Sequence, residues 1–230
     1  MSGFDEYDIS GEEYCKLYER YLQRPVDELV LAAGPVEGKY VLDLCAGSLR
    51  LSKRAKELGA AWVAAFDKSA KMMDVPWKNE AADICVIGGM WLTNLDEFGD
   101  EFPFDLVVCQ QAINYWFNER HFGYLVENVL ADGGAFVFNT FSKRPPEKPT
   151  VREYQIGGVE FMEVYQLVES TVYHVQMRRE MKPHATRFQY ITRQEFGIVI
   201  EKLVAEGKLH SFEIREDGNT DIYICRKGKS

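Results

Sequence analysis

The side chains of this chain that could do chemistry gather where apolar runs end. Asp43 stands near the end of the run KYVLDL at 39–44, and Cys45, Ala46 and Gly47 follow before helical spacing begins. Asp67 directly follows a second run, 61–66, and lies twenty positions beyond Gly47. At that separation a carboxylate on a neighbouring strand can reach a vicinal diol such as that of a ribose and accept both hydroxyl protons. Taken alone, Asp67 reads equally well as the cap of a following helix. A third group, Gly89, Met90 and Trp91, sits in ICVIGGMWL at 84–92, where the two large side chains suit either a flat ring or an ordinary core. The fourth group is FDLVVCQQAINYWFN at 104–118. There Gln110 ends an apolar run, and Asn114, Tyr115 and Trp116 offer an amide and an apolar wall. Such a wall suits a group transfer that depends on positioning and exclusion of water. Tyr115 and Trp116 could equally begin a helix and pack. His121, His174 and His184 stand singly and read as surface or core residues rather than as bases.

The elements that must position these groups follow from periodicity. Runs at 39–44, 61–66, 83–87, 104–109 and 135–141 read as strands. Helical spacing follows the first at Leu51, Ala55 and Leu58, with Lys53, Arg54, Lys56 and Glu57 on the outer face and Gly59 as a stop. A short helix is expected over 69–73, broken at Pro76, and a longer one after the cap Asn118, carrying Phe122, Leu125, Val126, Val129 and Leu130. Asp132-Gly133-Gly134 reads as the turn into the fifth strand. This alternation predicts an α/β fold with a doubly wound, mostly parallel sheet and ligands at the C-terminal strand ends. After a Pro-rich connector at 142–150 the pattern changes to period two, with strands expected at 151–156, 159–168, 171–178 and 186–191, an antiparallel excursion. Thr192 and Glu195 form a capping-box signature for a returning helix that stops at Gly207, and 211–215 with 221–226 reads as a closing hairpin. The division expected is 1–38, a helical lid; 39–150, the core; 151–191, the antiparallel lobe; and 192–230, the return to the core.

Composition narrows the partners. The 230 residues are 46% hydrophobic and carry a formal net charge of -9 with a pI near 5.1. That balance disfavours nucleic acid and anionic membrane surfaces, which call for clustered Lys and Arg. The five cysteines, Cys15, Cys45, Cys85, Cys109 and Cys225, show no paired zinc-ligand spacing, so no metal is expected, and their apolar contexts suit a reducing compartment. No targeting segment or membrane-length apolar stretch is visible, and the cytoplasm is the expected location.

The order of elements and four local segments resemble the class I S-adenosylmethionine-dependent methyltransferases, of the small-molecule, glycine N-methyltransferase-like type. The segments are VLDLCAGSLRLS at 41–52, VAAFDKSAKMM at 63–73, ICVIGGMWL at 84–92 and FDLVVCQQAINYWFN at 104–118, and the likeness runs over almost the whole chain. The resemblance implies a seven-stranded sheet with an antiparallel C-terminal strand and S-adenosylmethionine as cofactor. It implies that Asp43 orients the loop, that the backbone of Cys45, Ala46 and Gly47 faces the methionine part, that Asp67 with Lys68 meets the ribose, and that Gly89, Met90 and Trp91 meet the adenine. Gln110 ends the fourth strand at the cofactor, and Asn114 and Tyr115 border the acceptor as catalytic residues. EEYCKLYERYLQRPVDELV at 12–30 is similar to the family's lid helix, with Tyr18 and Arg24 matching an aromatic residue and an Arg near the cofactor carboxylate. The sequence departs from the pattern at Cys45 and Leu49, where glycines are usual, and at Gly89, where an acid is usual. A negative φ at Cys45 would make its substitution harmless. The expected activity is methyl transfer to N, O or S of a small acceptor, within a monomer or a homodimer. The alternatives are a relative that binds the cofactor or a partner without turnover, and a nucleotide-dependent oxidoreductase.

Overall fold

The computed structural model describes residues 9–17, 26–88, 103–217 and 220–229. Its first part runs α1 (Gly11–Leu17), α2 (Val26–Val30), β1 (Tyr40–Leu44), α3 (Arg50–Glu57), β2 (Trp62–Asp67), α4 (Lys78–Ala81), β3 (Ile84–Ile87) and β4 (Phe104–Cys109). A single 3-10 turn, Ile113–Tyr115, precedes α5 (Glu119–Tyr124), a π-helical turn (Leu125–Val129) and β5 (Leu130–Phe141). Then come β6 (Thr150–Ile156), β7 (Val159–Val168), β8 (Thr171–Arg178), β9 (His184–Gln189), α6 (Arg193–Ala205), β10 (Ser211–Asp217) and β11 (Thr220–Arg226).

Seven strands form one sheet in the order β10-β11-β5-β4-β1-β2-β3. β1 to β5 pair in parallel, and β11 lies antiparallel to both β5 and β10. Alternate residues of each strand feed opposite faces, as the period of two requires. Leu42, Leu44, Phe66, Val107, Phe136, Phe138 and Tyr223 bury against Phe122 and Val126 on one side and Phe196 and Ile200 of α6 on the same side. Val41, Val63, Leu106, Val108, Val137 and Ile224 bury against Leu29 and Val30 of α2 and Leu51 and Ala55 of α3 on the other. Helices on both faces explain why the parallel strands are apolar throughout. Winding out from β1 to β3 and back through β4 to β5 leaves a crevice between the C-terminal ends of β1 and β4.

The second sheet is four-stranded and antiparallel, in the order β6-β7-β8-β9. Gly157 (φ 57°) and Gly158 (φ 82°) supply the paired left-handed residues that a two-residue hairpin needs. Its buried face holds Glu163, His174, Gln176 and Phe188, while Val151 and Tyr173 on other positions stay exposed. The capping box at α6 is present in full, with Thr192 and Glu195 bonding each other's backbone, and Arg193 clasps the buried Asp221 of β11 at 2.6 and 2.9 Å.

Several expected elements differ. Residues 70–73 form a turn rather than a helix, because the Ser69 hydroxyl takes the Met72 N–H at 3.2 Å and Asp67 takes the Ser69 N–H, which closes the chain locally. The helix appears instead at Lys78–Ala81, beyond Pro76. The helix capped by Asn118 ends in the π turn, so Leu130 begins β5 instead of continuing the helix. Asp132-Gly133-Gly134 does not separate elements: it lies within β5 as a kink, with Gly133 at φ 77° and a register shift against β4. The last strand of the second sheet spans His184–Gln189 rather than 186–191, since Tyr190 and Ile191 already lead toward the Thr192 cap.

Phe138 is fully buried, stacks on Tyr223 at 4.7 Å and 5°, and touches Phe122, Phe136 and Phe196. Phe138→Ala is therefore expected to cost about 3–5 kcal/mol in a urea or guanidinium unfolding titration. A loss below about 1 kcal/mol would show that this aromatic layer collapses without consequence.

Candidate functional site

The loop between β1 and α3 is held in an unusual backbone. Cys45, Gly47 and Leu49 all adopt left-handed conformations, at φ 63°, 50° and 61°. The condition of a negative φ, under which Cys45 would be a harmless replacement, is not met: the side chain is not a glycine, but the turn from strand to helix keeps the conformation glycine would take. For a non-glycine residue this costs roughly 1 kcal/mol or more at each position. Fixed bonds hold the loop in place. Ala46 N–H donates to the Phe66 carbonyl at 3.0 Å, Leu49 N–H to the Ala46 carbonyl at 2.9 Å, and Gly47 N–H to the Asp67 carboxylate at 2.8 Å. Cys45 and Cys109, on the ends of adjacent strands, share a thiol hydrogen bond that, with burial, pushes the Cys45 thiol well up.

Two carboxylates stand behind and beside this loop. Asp43 is 1% exposed, and one of its oxygens accepts from both the N–H (2.9 Å) and the hydroxyl (2.6 Å) of Ser52 in α3. Burial pushes its carboxyl up to about 7, offset in part by the Ser52 bonds and reinforced by the nearby Asp67. Asp67 spends one oxygen on Gly47 N–H and the other on Ser69 N–H at 2.9 Å. Burial raises the Asp67 carboxyl too, against the lowering effect of those two N–H groups. Its capping alternative is realised in reduced form, on a turn rather than a helix.

A cleft of about 140 Å³ opens in front of the loop, and Asp43, Cys45, Ala46, Gly47, Asp67, Gln110 and Tyr115 all line it. A second space of about 830 Å³ adjoins it, sharing Cys45, Asp67, Tyr115 and Phe188 and adding Lys68 and Asn114. The sequence-derived candidates within the described residues therefore converge on one region. Asn114 is 2% exposed and its amide is engaged on both sides, donating to the Gln189 carbonyl at 2.9 Å and accepting from Thr140 Oγ1 at 2.6 Å. It ties β9 to β5. Tyr115 packs edge-on against Phe188 at 5.7 Å. Tyr18, Arg24, Gly89, Met90 and Trp91 lie outside the described residues.

The roof of the cleft comes from the second sheet, through Tyr165, His174, His184, Thr186 and Phe188. His174 stacks on Tyr165 at 4.2 Å and 3°, and burial, with His184 beside it, pushes its imidazole down to about 3; burial lowers His184 as well. Both rings are neutral at pH 7. One wall is α1, through Tyr14, whose phenol burial pushes up. This helix is fixed at both ends. Gly11 N–H bonds the Lys71 carbonyl at 3.1 Å, and a Cβ at position 11 would fall 2.0 Å from the Met72 carbonyl oxygen. At the other end Gln176 and Arg178 of β8 donate to the Leu17 and Lys16 carbonyls at 2.9 and 2.7 Å. Periodicity could not assign these roof residues to the cleft, because their placement depends on how one sheet lies over another. Arg50, also at the cleft, was hidden among the basic residues of α3.

The raised carboxyl of Asp43 has a pH signature. Between about 4 and 7 the folded state keeps a proton that the unfolded chain has lost, so stability falls as pH rises through this window, by roughly 1.4 kcal/mol per pH unit. Asp43→Asn is expected to flatten that slope in denaturation curves taken at pH 4.5, 5.5, 6.5 and 7.5. An unchanged slope would place the proton elsewhere.

No protein-family model matches the chain, and no curated protein matches it significantly. Solved structures do match over nearly its full length. An S-adenosylmethionine-dependent methyltransferase from Clostridium acetobutylicum ATCC 824 superposes with a TM-score of 0.66 at 14% identity, covering 94% of this chain and 98% of that one. CalS10 from Micromonospora echinaspora, an amino pentose methyltransferase of calicheamicin biosynthesis solved with S-adenosylmethionine bound, gives 0.65 at 14%, covering 93% and 96%. DhpI, in complex with S-adenosylhomocysteine, gives 0.59 at 18%, covering 96% and 92%. With the seven-stranded sheet and its crevice in view, these likenesses show that the chain has the fold of the S-adenosylmethionine-dependent methyltransferases.

Proposed function

We propose that this protein is an S-adenosylmethionine-dependent methyltransferase that acts on a small-molecule acceptor. The observation that carries the reading is Asp67. Its carboxylate lies at the end of β2, spends one lone pair of each oxygen on the loop and the following turn, and lines both adjoining spaces. Its remaining acceptor capacity suits a ribose hydroxyl. The donor set around it fits the cofactor: a rigid loop at Cys45, Ala46 and Gly47 for the methionine part, Asp67 and Lys68 at the ribose, and Gln110 at the end of β4. When bound, S-adenosylmethionine supplies an electrophilic methyl group on a sulfonium.

The chain's own residues then position and desolvate. Asp43 clamps Ser52 and so holds the start of α3 against β1, which keeps the loop in register. Tyr115 and Phe188 form an apolar wall across which acceptor and methyl group can align with little water. Asn114, with both ends of its amide bonded, holds that wall to β5 and β9 and acts as a positioning residue. The roof offers neutral imidazoles and hydroxyls, and Lys68 and Arg187 line the adjoining space, which suits a polar acceptor presenting N, O or S. The left-handed backbone at Cys45 and Leu49 keeps the loop's shape without the usual glycines, which supports the cofactor site.

Calorimetric titration with S-adenosylhomocysteine tests the reading. The native chain is expected to bind it, and Asp67→Ala to weaken it by about 1–3 kcal/mol, the scale of lost charge-assisted hydrogen bonds, with circular dichroism unchanged. Equal affinity in the variant would remove Asp67 from the ribose, and no binding by the native chain at millimolar ligand would overturn the function.

A further inference from the structure

Between β4 and the 3-10 turn the chain makes a bend that local preference opposes. Gln111 is left-handed, at φ 52°, a conformation that glycine or asparagine adopts at lower cost. Glu169 and Glu180, which share it, stand in turns between strands of the second sheet, whereas Gln111, like Cys45, lines the cleft. The bend is imposed from β5. Asn139, 6% exposed, accepts the Gln111 N–H at 2.7 Å, and the next residue, Thr140, donates to Asn114 at 2.6 Å. Residues 111 to 114 are thus pinned at both ends to one strand. A residue unsuited to its backbone persists where its surroundings over-determine it, and such positions gather at ligand sites. Gln111 lines the cleft together with the loop residues Cys45, Ala46 and Gly47 and the roof residues Thr186 and Phe188. The adjoining space, bordered by Lys68, takes Ala112 from this segment but not Gln111. Gln111 therefore belongs to the part of the site where the loop meets the roof, away from Lys68.

We infer that Gln111 is strained into place to hold the methyl acceptor, its amide oxygen accepting a hydrogen bond from the atom that is methylated. The inference rests on the cofactor reading above and narrows the acceptor. That atom carries an N–H or O–H, since a thiol is a weak donor, so the matching class is an amine or a hydroxyl compound. A neutral amide suits the change of charge. As the acceptor's lone pair takes the methyl carbon, the carbon–sulfur bond breaks with its pair on sulfur, and the positive charge moves to the acceptor atom. Its N–H or O–H then bonds the amide oxygen more strongly than before, which favours the transition state over the ground state, and the proton leaves to solvent.

The test compares S-adenosylhomocysteine with sinefungin, the analogue in which a carbon bearing an amino group replaces the sulfur. Sinefungin thereby places an N–H donor where the transferred methyl group would point, and S-adenosylhomocysteine has nothing there. Calorimetry on the full chain is expected to show Gln111→Gly weakening sinefungin about tenfold while leaving S-adenosylhomocysteine within about twofold. Gln111→Glu, which keeps an oxygen at the same reach, is expected to hold sinefungin within about twofold of the native chain or more tightly. The ligand-free Gln111→Gly chain is expected to melt at the same or a higher temperature than the native one, because glycine takes the left-handed conformation without strain. Equal losses for both ligands, or a lowered melting temperature, would make Gln111 structural and overturn the inference. Unchanged sinefungin binding in Gln111→Gly, or a Gln111→Glu chain as weak as the glycine one, would also overturn it, by removing the amide oxygen from the acceptor. Should the native chain bind S-adenosylhomocysteine but not sinefungin at millimolar concentration, the inference fails while the cofactor site stands; should it bind neither, the cofactor reading itself fails.

Discussion

The hydrogen bond from Gly47 N–H to the Asp67 carboxylate joins the C-terminal ends of β1 and β2, and most of the site is arranged around it. It stabilises a loop whose backbone runs left-handed at three of five successive residues, a conformation that local propensity alone would abandon. Because Asp67 faces the loop with one lone pair on each side, the same carboxylate that holds the protein together presents its remaining acceptors to the cleft. Asp43 works from beneath, where its bonds to Ser52 fix the helix that the loop must enter. Burial raises the proton affinity of both acids, and the charge of Asp67 raises that of Asp43 further. A bound cation and fixed N–H dipoles would relieve that repulsion, so ligand binding and the charge state of this pair are linked.

The second sheet contributes in a different way. Its buried face is polar, with Glu163 accepting from the Tyr154 hydroxyl at 2.6 Å and Gln176 donating to that same hydroxyl and to Leu17. Its bonds to the Leu17 and Lys16 carbonyls seat α1 on β8. The helix wall and the roof are thereby joined by hydrogen bonds.

Much of this was legible beforehand. The alternation of strand and helix, the two-residue turn at Gly157-Gly158, the Asn118 cap and the Thr192 capping box each depend on residues close in sequence, and the structure contains them. The convergence of Asp43, the 45–47 loop, Asp67, Gln110 and Tyr115 followed from strand ends lying side by side. What stayed hidden depends on contacts between distant segments. Arg50 reads as one more basic residue on an exposed helix until the cleft is seen beside it, and His174 and His184 read as isolated histidines until the second sheet is folded over the first. The 69–73 segment was misread because Asp67 and Ser69 offered the backbone nearer partners than a helix would. The backbone at Cys45 is left-handed because the loop's bonds to Phe66 and Asp67 outweigh the side chain's preference, which the sequence alone does not show.

Gly11 sets how narrow the cleft can be. Since even a methyl group there would overlap the Met72 carbonyl oxygen, the backbone of α1 rests directly on the turn after β2, with nothing between them. Position 11 therefore works as a spacer of zero thickness: every other residue type would force α1 and the turn at 70–73 apart, and Tyr14 and Met72, which line the cleft, sit on these two parts. A chain of this architecture has a single-site route to a roomier cleft, in which bulk added on the back of a wall enlarges the chamber in front of it, without any change to a residue that meets a ligand.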